Sequence, residues 1–311
     1  MKPAEMTSFD VVAYIRRLLN IKKTGHCGTL DPAAVGVLPI CLGFATGVTG
    51  FMLSMQKAYR VEMVVGIHTN TLDLEGEVIA RDDTVRMPEP NRLEEVLKTF
   101  IGKQMQLPPM YSAVKVGGKR LYQLAHKGIE IEREPREIEI FSINLIRCIG
   151  KRIIFDVECS KGTYIRTLCQ DIGKRLDVLL CMSYLIRTKS SGLSIDEALT
   201  LEQIERLHQK RELKRCLISA DTLLEGYPSV VLTQEQAKKY YNGVPIKLSK
   251  AENQSLYYNQ LQLKDAVGMA ILNGEYLIRV YHNLHFWGLG KLCVQDEEIF
   301  LYVKKFLMER E

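Results

Sequence analysis

The chain has 311 residues, 46% of them hydrophobic and 25% charged, with a formal net charge of +5 and a pI near 8.6. This composition is typical of a folded protein with one large domain and a second, smaller one, and its mild basic excess does not by itself indicate a polyanionic partner. No apolar run approaches the roughly 18 residues that a membrane helix needs, and the N-terminus lacks a signal peptide's apolar core. We therefore expect a cytoplasmic protein.

Eight cysteines are spread along the chain with no C-x-x-C pair and no histidine at metal-ligand spacing, which indicates reduced thiols rather than a zinc site. The sequence also contains no Walker loop, no G-x-S-x-G elbow and no glycine motif of a dinucleotide-binding strand and helix. Nucleotide-driven phosphoryl transfer, hydride transfer and metal hydrolysis therefore lack their usual signatures. We expect chemistry that needs neither a metal nor a cofactor.

The first predicted element is an amphipathic helix. Thr7 and Asp10 have the spacing of a capping box, and apolar residues then recur at helical period. Its apolar face consists of Val11, Val12, Ile15, Leu18 and Leu19. The cations near its end are Arg16, Arg17, Lys22 and Lys23. A solvated helix end and an edge that faces RNA explain these cations equally well.

A glycine-rich stretch at residues 25–38 follows the helix and contains one acidic residue, Asp31. Gly28 frees the backbone ahead of it, and the apolar run behind it indicates a buried segment. The stretch predicts a carboxylate presented on a turn that a core holds in place. However, Asp31 and Pro32 also form an ordinary turn dipeptide, so a purely structural role is the alternative. Residues 35–42 predict a short buried strand and turn.

A strand with Tyr59 near its start is predicted next, and residues 88–101 predict a helix. Residues 101–129 then contain no Asp or Glu and include two turn-forming pairs, Pro108-Pro109 and Gly117-Gly118. The cations and aromatic residues there are Lys103, Lys115, Lys119, Arg120, Lys127, Tyr111, Tyr122 and His126. Such a loop suits an RNA phosphate backbone, and a lysine-rich surface insertion is an equal alternative.

The remaining elements alternate between strand and helix. Strands are predicted at residues 138–145 and 153–159 around a turn at Gly150, and helices at residues 163–176 and 196–207. Arg166 lies in the first turn of the earlier helix, where the helix dipole disfavours a cation, so we expect a carboxylate partner or a surface arginine. Beyond residue 228, short apolar pieces indicate a β-rich domain. Its predicted turns are Asn242-Gly243, Asn273-Gly274 and residues 288–290.

These residues leave carboxylate chemistry as the main enzymatic possibility. An aspartate can act as a nucleophile at a sugar carbon, provided that it stays ionised. Arg166 is the candidate to stabilise the ionised form of Asp31, and Tyr59 is a candidate to stack on a base. A secreted glycosidase would need a second acid at the site and an export signal, and neither is evident.

Three motifs occur in order: GHCGTLDP at residues 25–32, KAY at residues 57–59 and CSKGTYIRTL at residues 159–168. Supporting stretches lie at residues 2–8, 108–115, 184–187 and 286–290. Together they resemble the bacterial TruB family, whose members convert the T-loop uridine at tRNA position 55 to pseudouridine. The resemblance implies that Asp31 initiates cleavage of the N1–C1′ bond, with Arg166 as its partner. Tyr59 would stack on the target base and is a possible general base.

The resemblance also implies residues that bind the substrate. Leu185 would enclose the uracil, His26 would hold the flipped-out loop, and Lys2 would support the site. Phosphate contacts would come from Lys103, Lys115, Lys119, Arg120 and Lys127. Glu5 stands where the family commonly has glycine, so a positive φ at that position would strain it.

The fold and partners follow from the same resemblance. An α+β core, built on a mixed and mainly antiparallel sheet flanked by helices, is expected over residues 1–228, with the basic insertion at about 101–136. Residues 229–311 would form a small β-rich PUA-like domain that binds RNA. We expect a monomer that binds the T-stem-loop of tRNA, with no membrane, metal or cofactor. The alternative is a tRNA-binding and folding chaperone with weak or no catalysis.

Overall fold

The computed structural model describes residues 1–248, 271–272, 275–295 and 298–308. The chain divides into two compact units. The first consists of Met1–Val11, Gly28–Pro39 and Leu53–Ile204, and the second consists of Val12–Cys27, Ile40–Met52 and Glu205–Glu311. Each unit is therefore assembled from several stretches of chain. No helix within the described ranges is long and apolar enough to cross a membrane.

Helices and strands alternate along the chain. The α-helices are α1 (Ser8–Leu19), α2 (Thr49–Leu53), α3 (Pro90–Lys98), α4 (Leu121–Ala125), α5 (Ile165–Leu176), α6 (Leu201–Gln209) and α7 (Gln234–Tyr241). The strands are β1 (Thr24–His26), β2 (Val35–Gly36), β3 (Ile40–Leu42), β4 (Lys57–Val65), β5 (Ile67–Thr69), β6 (Val78–Arg81), β7 (Gly102–Gln106), β8 (Lys115–Val116), β9 (Lys119–Arg120), β10 (Arg136–Ile149), β11 (Arg152–Cys159), β12 (Leu180–Ser190), β13 (Leu193–Ser194), β14 (Ser229–Val231), β15 (Ile246–Leu248), β16 (Ile271–Leu272), β17 (Glu275–His282), β18 (His285–Gln295) and β19 (Glu298–Phe306). Short 3-10 helices occupy Gly43–Val48, Ile195–Glu197, Leu213–Cys216 and Thr222–Leu224.

The first unit is built on a sheet in which β13, β12, β4, β11, β10 and β7 lie side by side, with β2 paired to β12. The β2–β12 pairing is parallel and the other pairings are antiparallel, so the predicted mixed, mainly antiparallel sheet is confirmed. Alternate residues of β4 are buried, as the period of a strand requires. Four of them, Tyr59, Val61, Met63 and Val65, form one core with apolar residues of α3 and α5.

Local sequence signals explain where several elements begin. The backbone N–H of Thr7 donates to the Asp10 carboxylate at 2.8 Å, and the Asp10 N–H donates back to the Thr7 hydroxyl at 3.1 Å, which confirms the capping box of α1. The turn between β10 and β11 lies at Gly150, as expected, with φ of 55°. The predicted helix at residues 163–176 begins slightly later, at Ile165.

Two predicted elements are divided differently in the structure. Residues 35–42 form two separate strands, β2 and β3, rather than one. The helix predicted at residues 196–207 is a 3-10 turn followed by α6, which begins only at Leu201. The Thr200 hydroxyl accepts a hydrogen bond from the N–H of Gln203 at 3.2 Å, so the N-cap lies at Thr200.

The β-rich character predicted beyond residue 228 is confirmed by the described strands β14 to β19. The turn predicted at residues 288–290 is wrong, because these residues lie within β18. The chain instead reverses at Asn283 and Leu284, both with positive φ. A Cβ at Gly288 would lie 2.1 Å from the Lys305 carbonyl oxygen, so this glycine permits a close approach between strands. The Asn273-Gly274 turn falls outside the described residues.

Helix α7 interrupts the strands of the C-terminal part and was not predicted. Its N-cap is Thr233, whose hydroxyl accepts from the N–H of Gln236 at 3.3 Å, while the Gln236 side chain accepts from the Thr233 N–H at 3.0 Å. This capping box was visible in the sequence and would have located the helix. The predicted turn at Asn242 and Gly243 ends it.

Glu5 adopts the left-handed conformation, with φ of 66°. An L-residue loses about 1–2 kcal/mol there, whereas glycine loses about 0.5–1 kcal/mol through its greater freedom in the unfolded chain. We therefore expect Glu5→Gly to raise the free energy of unfolding by about 0.5–1 kcal/mol, measured by urea denaturation. Asn20→Gly is the matched control, because Asn20 has φ of 53° but asparagine tolerates that region. Equal changes in the two variants would contradict this account.

Candidate active site

Asp31 lies on a turn whose backbone is held from several sides. The Leu30 N–H donates to the Ser8 hydroxyl at 2.9 Å, and the Ala34 N–H donates to the Asp31 carbonyl at 3.1 Å. Leu30 and Ala34 are themselves buried in the core of the first unit. The Asp31 side chain, by contrast, is 43% exposed. The turn therefore presents a carboxylate to solvent from a fixed backbone, as the sequence predicted.

Arg166 is the direct partner of this carboxylate. Its Nε lies 3.0 Å from Asp31 Oδ2, and its side chain is only 7% exposed. Its Nη1 lies 3.5 Å from Asp73 Oδ2 and donates to the Thr71 carbonyl at 2.9 Å, while its Nη2 donates to the Tyr111 carbonyl at 2.8 Å. The guanidinium thus binds two carboxylates and two carbonyls, which orients it firmly toward Asp31.

The position of Arg166 at the start of α5 explains why it needs these partners. A cation in the first turn of a helix is disfavoured by the helix dipole, and a buried cation is costly without anions nearby. Asp31 and Asp73 supply the compensating charge. Asp73 was not predicted, because it lies in a turn where aspartate is common for local reasons. A second acid such as Asp73 could have been expected only on the general ground that a buried arginine binds more than one acceptor.

Tyr59 and Leu185 lie on neighbouring strands of the sheet, β4 and β12, and both belong to the core that includes Leu30. Burial raises the pKa of Tyr59 to about 12, while the charge of Arg187 opposes this rise and that of Asp31 adds to it. The phenol is therefore protonated at neutral pH. In this protonated form the phenol can donate a hydrogen bond and is not an ionised base.

Lys2 and His26 lie in different units of the structure. Lys2 is fully buried, and its Nζ donates to the carbonyls of Pro32 at 2.8 Å and of Pro3 at 2.7 Å. The Lys2 ammonium therefore supports the backbone of the Asp31 turn from inside the protein. His26 ends β1, opposite Ile40 of β3, in the second unit.

The predicted phosphate-binding cations occupy several elements rather than one loop. Lys103 lies on β7, a strand of the main sheet, 3.6 Å from the Glu137 carboxylate. Lys115 pairs with Arg120 across the β8–β9 hairpin, where Gly117 and Gly118 form the turn. The exposed cations of this hairpin and of the segment after α4 are Lys115, Lys119, Arg120 and Lys127. The insertion therefore contains short regular structure and places these four cations at its surface.

Within the described residues, no group of three or more His, Cys, Asp or Glu side chains is arranged to hold a metal ion. A cavity of about 370 Å³ in the first unit is lined by Tyr111, His68, Thr167 and neighbouring residues. Thr167 directly follows Arg166, and the Tyr111 carbonyl accepts a hydrogen bond from Arg166. The cavity therefore lies next to the arginine that contacts Asp31.

Matches to known proteins place this chain, with its exposed Asp31 beside the buried Arg166, in the class of pseudouridine synthases. Solved structures share the overall fold of this chain. A chain in the crystal structure of a Cbf5-Nop10-Gar1 complex superposes with a TM-score of 0.72 at 25% sequence identity, over 99% of this chain and 83% of that chain.

Within this class the chain belongs to the TruB family. The family model of the TruB pseudouridylate synthase N-terminal domain matches residues 16–165, and that of the tRNA pseudouridylate synthase B C-terminal domain matches residues 166–225. The protein named tRNA pseudouridine synthase B of Alkaliphilus oremlandii is 39% identical over 100% of this chain and 98% of its own length. Its counterpart in Halalkalibacterium halodurans is 44% identical over 78% of this chain and 81% of its own. The chain is therefore an isomerase that acts on uridine in RNA.

Proposed function

We propose that the chain converts the uridine at position 55, in the T loop of tRNA, to pseudouridine. The observation that carries this proposal is the 3.0 Å contact between Arg166 and the half-exposed carboxylate of Asp31. Support for tRNA comes from relatives along the whole chain that bear the name tRNA pseudouridine synthase B. The motifs around Asp31, Tyr59 and Arg166 are those on which the resemblance to that T-loop activity rests.

In the proposed mechanism, Asp31 initiates cleavage of the N1–C1′ bond. Its carboxylate either attacks C1′ or removes a proton from C2′, and Arg166 stabilises the ionised form in both routes. The uracil rotates in place and C5 bonds to C1′. In the first route this step displaces Asp31 from C1′, and in the second Asp31 returns its proton to C2′. The C5 proton is then lost and N1 gains one. The reaction is balanced without an oxidant, reductant or energy source. Tyr59 stacks on the base, and Leu185 forms an apolar wall.

Access to Asp31 requires the target uridine to leave its stack, because a base inside a folded loop cannot expose its C1′ to a side chain on a rigid turn. We propose that Lys115, Lys119, Arg120 and Lys127 bind the phosphates of the T-stem-loop and that His26 holds the flipped-out loop. Lys103 contributes less, since Glu137 already lies beside it.

We propose that the chain has two domains with separate roles in this reaction. Residues 1–228 form the catalytic domain, with the basic insertion at about 101–136, and residues 229–311 form a PUA-like domain that adds RNA contacts. The protein acts as a monomer in the cytoplasm. The strands β14 to β19 supply the β-rich framework that such a tail requires.

The test is pseudouridine mapping, by carbodiimide labelling and primer extension, on an unmodified tRNA transcript incubated with the purified chain. We expect modification at position 55 and at no other uridine, and also in an isolated T-arm hairpin, since recognition depends on loop shape. A transcript with cytidine at position 55 is the matched control and should remain unlabelled. Modification of a different uridine, or none by the folded protein, would contradict the proposal.

A further inference from the structure

Arg187 is a second arginine of the first unit that is removed from solvent. It lies on β12, two residues after Leu185, and its side chain is fully buried. A buried guanidinium is costly unless its N–H groups are bound. Because no part of it reaches the surface, Arg187 cannot contact an RNA phosphate. Its charge and donors must act inside the protein.

The guanidinium of Arg187 binds both ends of the segment that carries Asp31. Its Nη2 donates to the Gly28 carbonyl at 3.0 Å, and its Nε donates to the Val37 carbonyl at 2.8 Å. Its Nη1 also lies 3.5 Å from the Thr29 carbonyl. A single side chain therefore joins the start and the end of this segment.

The backbone of Arg187 holds the same segment. The Val37 N–H donates to the Arg187 carbonyl at 2.9 Å, and Gly36 lies opposite Arg187 in the parallel β2–β12 pair. A Cβ at Gly36 would lie 2.3 Å from the Arg187 carbonyl oxygen, and Gly36 has φ of 112°. Only glycine permits this approach, so backbone and side chain together fix the segment against β12.

Arg187 also contacts the second residue of the proposed site. Tyr59 is its partner in the antiparallel β12–β4 register. Directly opposed residues of antiparallel strands project to the same side of the sheet, so the two side chains are neighbours. Burial raises the pKa of Tyr59, and interaction with Arg187 opposes this rise. The residue whose guanidinium holds the Asp31 segment is therefore also the direct cross-strand neighbour of Tyr59.

We propose that Arg187 is a positioning residue that sets the spacing between the Asp31 carboxylate and the Tyr59 ring by binding the Asp31 segment and Tyr59 at once. This inference rests on the proposed roles of Asp31 and Tyr59. If the carboxylate acts on the ribose while the ring stacks on the base of one nucleotide, their spacing sets the alignment of the reacting atoms. A misplacement of about 1 Å can cost about 100-fold in rate.

The test compares Arg187→Met with Arg187→Lys in the full chain, using single-turnover kinetics on a tRNA transcript and a separate measurement of the tRNA Kd. We expect Arg187→Met to slow the chemical step by about 10- to 100-fold while the Kd stays within about two-fold. Arg187→Lys keeps the charge and should recover part of the rate. In protein labelled with ¹³C-tyrosine, the Cζ resonance of Tyr59, assigned with Tyr59→Phe, should shift in Arg187→Met.

Arg152→Met on β11, which pairs with β4 on the side away from β12, is the control, because Arg152 is exposed and its carboxylate partner is Glu62. It should leave the rate and the Tyr59 resonance unchanged. Folded Arg187 variants that react at the wild-type rate would overturn the proposal, as would a slow variant with an unshifted Tyr59 resonance. Two variants that both fail to fold would assign Arg187 to stability alone and would also overturn it. If Asp31→Asn remained active, the proposed catalytic role of Asp31 would be wrong, which is a different outcome from the failure of the Arg187 proposal.

Discussion

Replacement of Asp31 by asparagine is expected to lower the rate of pseudouridine formation by about 10,000-fold or more, with little change in tRNA affinity. The amide has the shape of the carboxylate and can still accept a hydrogen bond from Arg166, but it is neither a nucleophile nor a base. Because the Asp31 side chain is 43% exposed and Arg166 keeps Asp73 and two backbone carbonyls as acceptors, losing the Asp31 charge should cost less stability than losing Arg166. Single-turnover assays and tRNA filter binding measure the two effects separately.

Asp83→Asn is the control for this variant. Asp83 is another exposed turn aspartate, whose ion pair is with Arg81 at 2.9 Å, and its amide variant should retain full activity. If Asp31→Asn keeps more than about a tenth of the wild-type rate, a different group initiates cleavage. If the variant makes no pseudouridine but fully replaces the wild-type protein in cells, a role in tRNA folding accounts for the cellular function.

The parts of this site that could be predicted from the sequence are those with a local physical signature. The turn around Asp31 combines a flexible glycine with an apolar run, and both are properties of adjacent residues. Arg166 was linked to a carboxylate because a cation at a helix start conflicts with the dipole of its own helix. The strand of Tyr59 followed from its alternating pattern.

The parts that could not be predicted depend on tertiary contacts between distant residues. Asp73 resembles any turn aspartate until the fold brings it to Arg166. Arg187 resembles an ordinary strand cation, and only the parallel pairing of β2 with β12 places its guanidinium against Gly28 and Val37. Likewise, Gly288 looked like a turn residue because its actual role, a close approach to the Lys305 backbone, has no local sequence signature.

Replacement of Arg166 by methionine is expected to lower the single-turnover rate by about 100- to 1,000-fold. Methionine has a similar length but leaves Asp31 without the cation that stabilises its ionised form. It also leaves Asp73, whose side chain is only 13% exposed, beside an apolar group. An unpaired buried carboxylate costs about 3 kcal/mol, so the urea midpoint should fall as well. Arg166→Lys should give an intermediate rate, because its single ammonium cannot bind all four acceptors.

The double variant Arg166→Met/Asp73→Asn separates the two effects of this arginine. Removing the Asp73 charge should restore much of the stability lost in Arg166→Met, since no buried carboxylate is then unpaired, but it should not restore the rate. Arg175→Lys on the same helix is the control, because Arg175 packs 4.0 Å from the Phe100 ring and should tolerate the change. If activity returned with stability in the double variant, Arg166 would act only by holding α5 and its neighbours in place. A slow but stable double variant therefore requires that Arg166 acts on the Asp31 carboxylate itself.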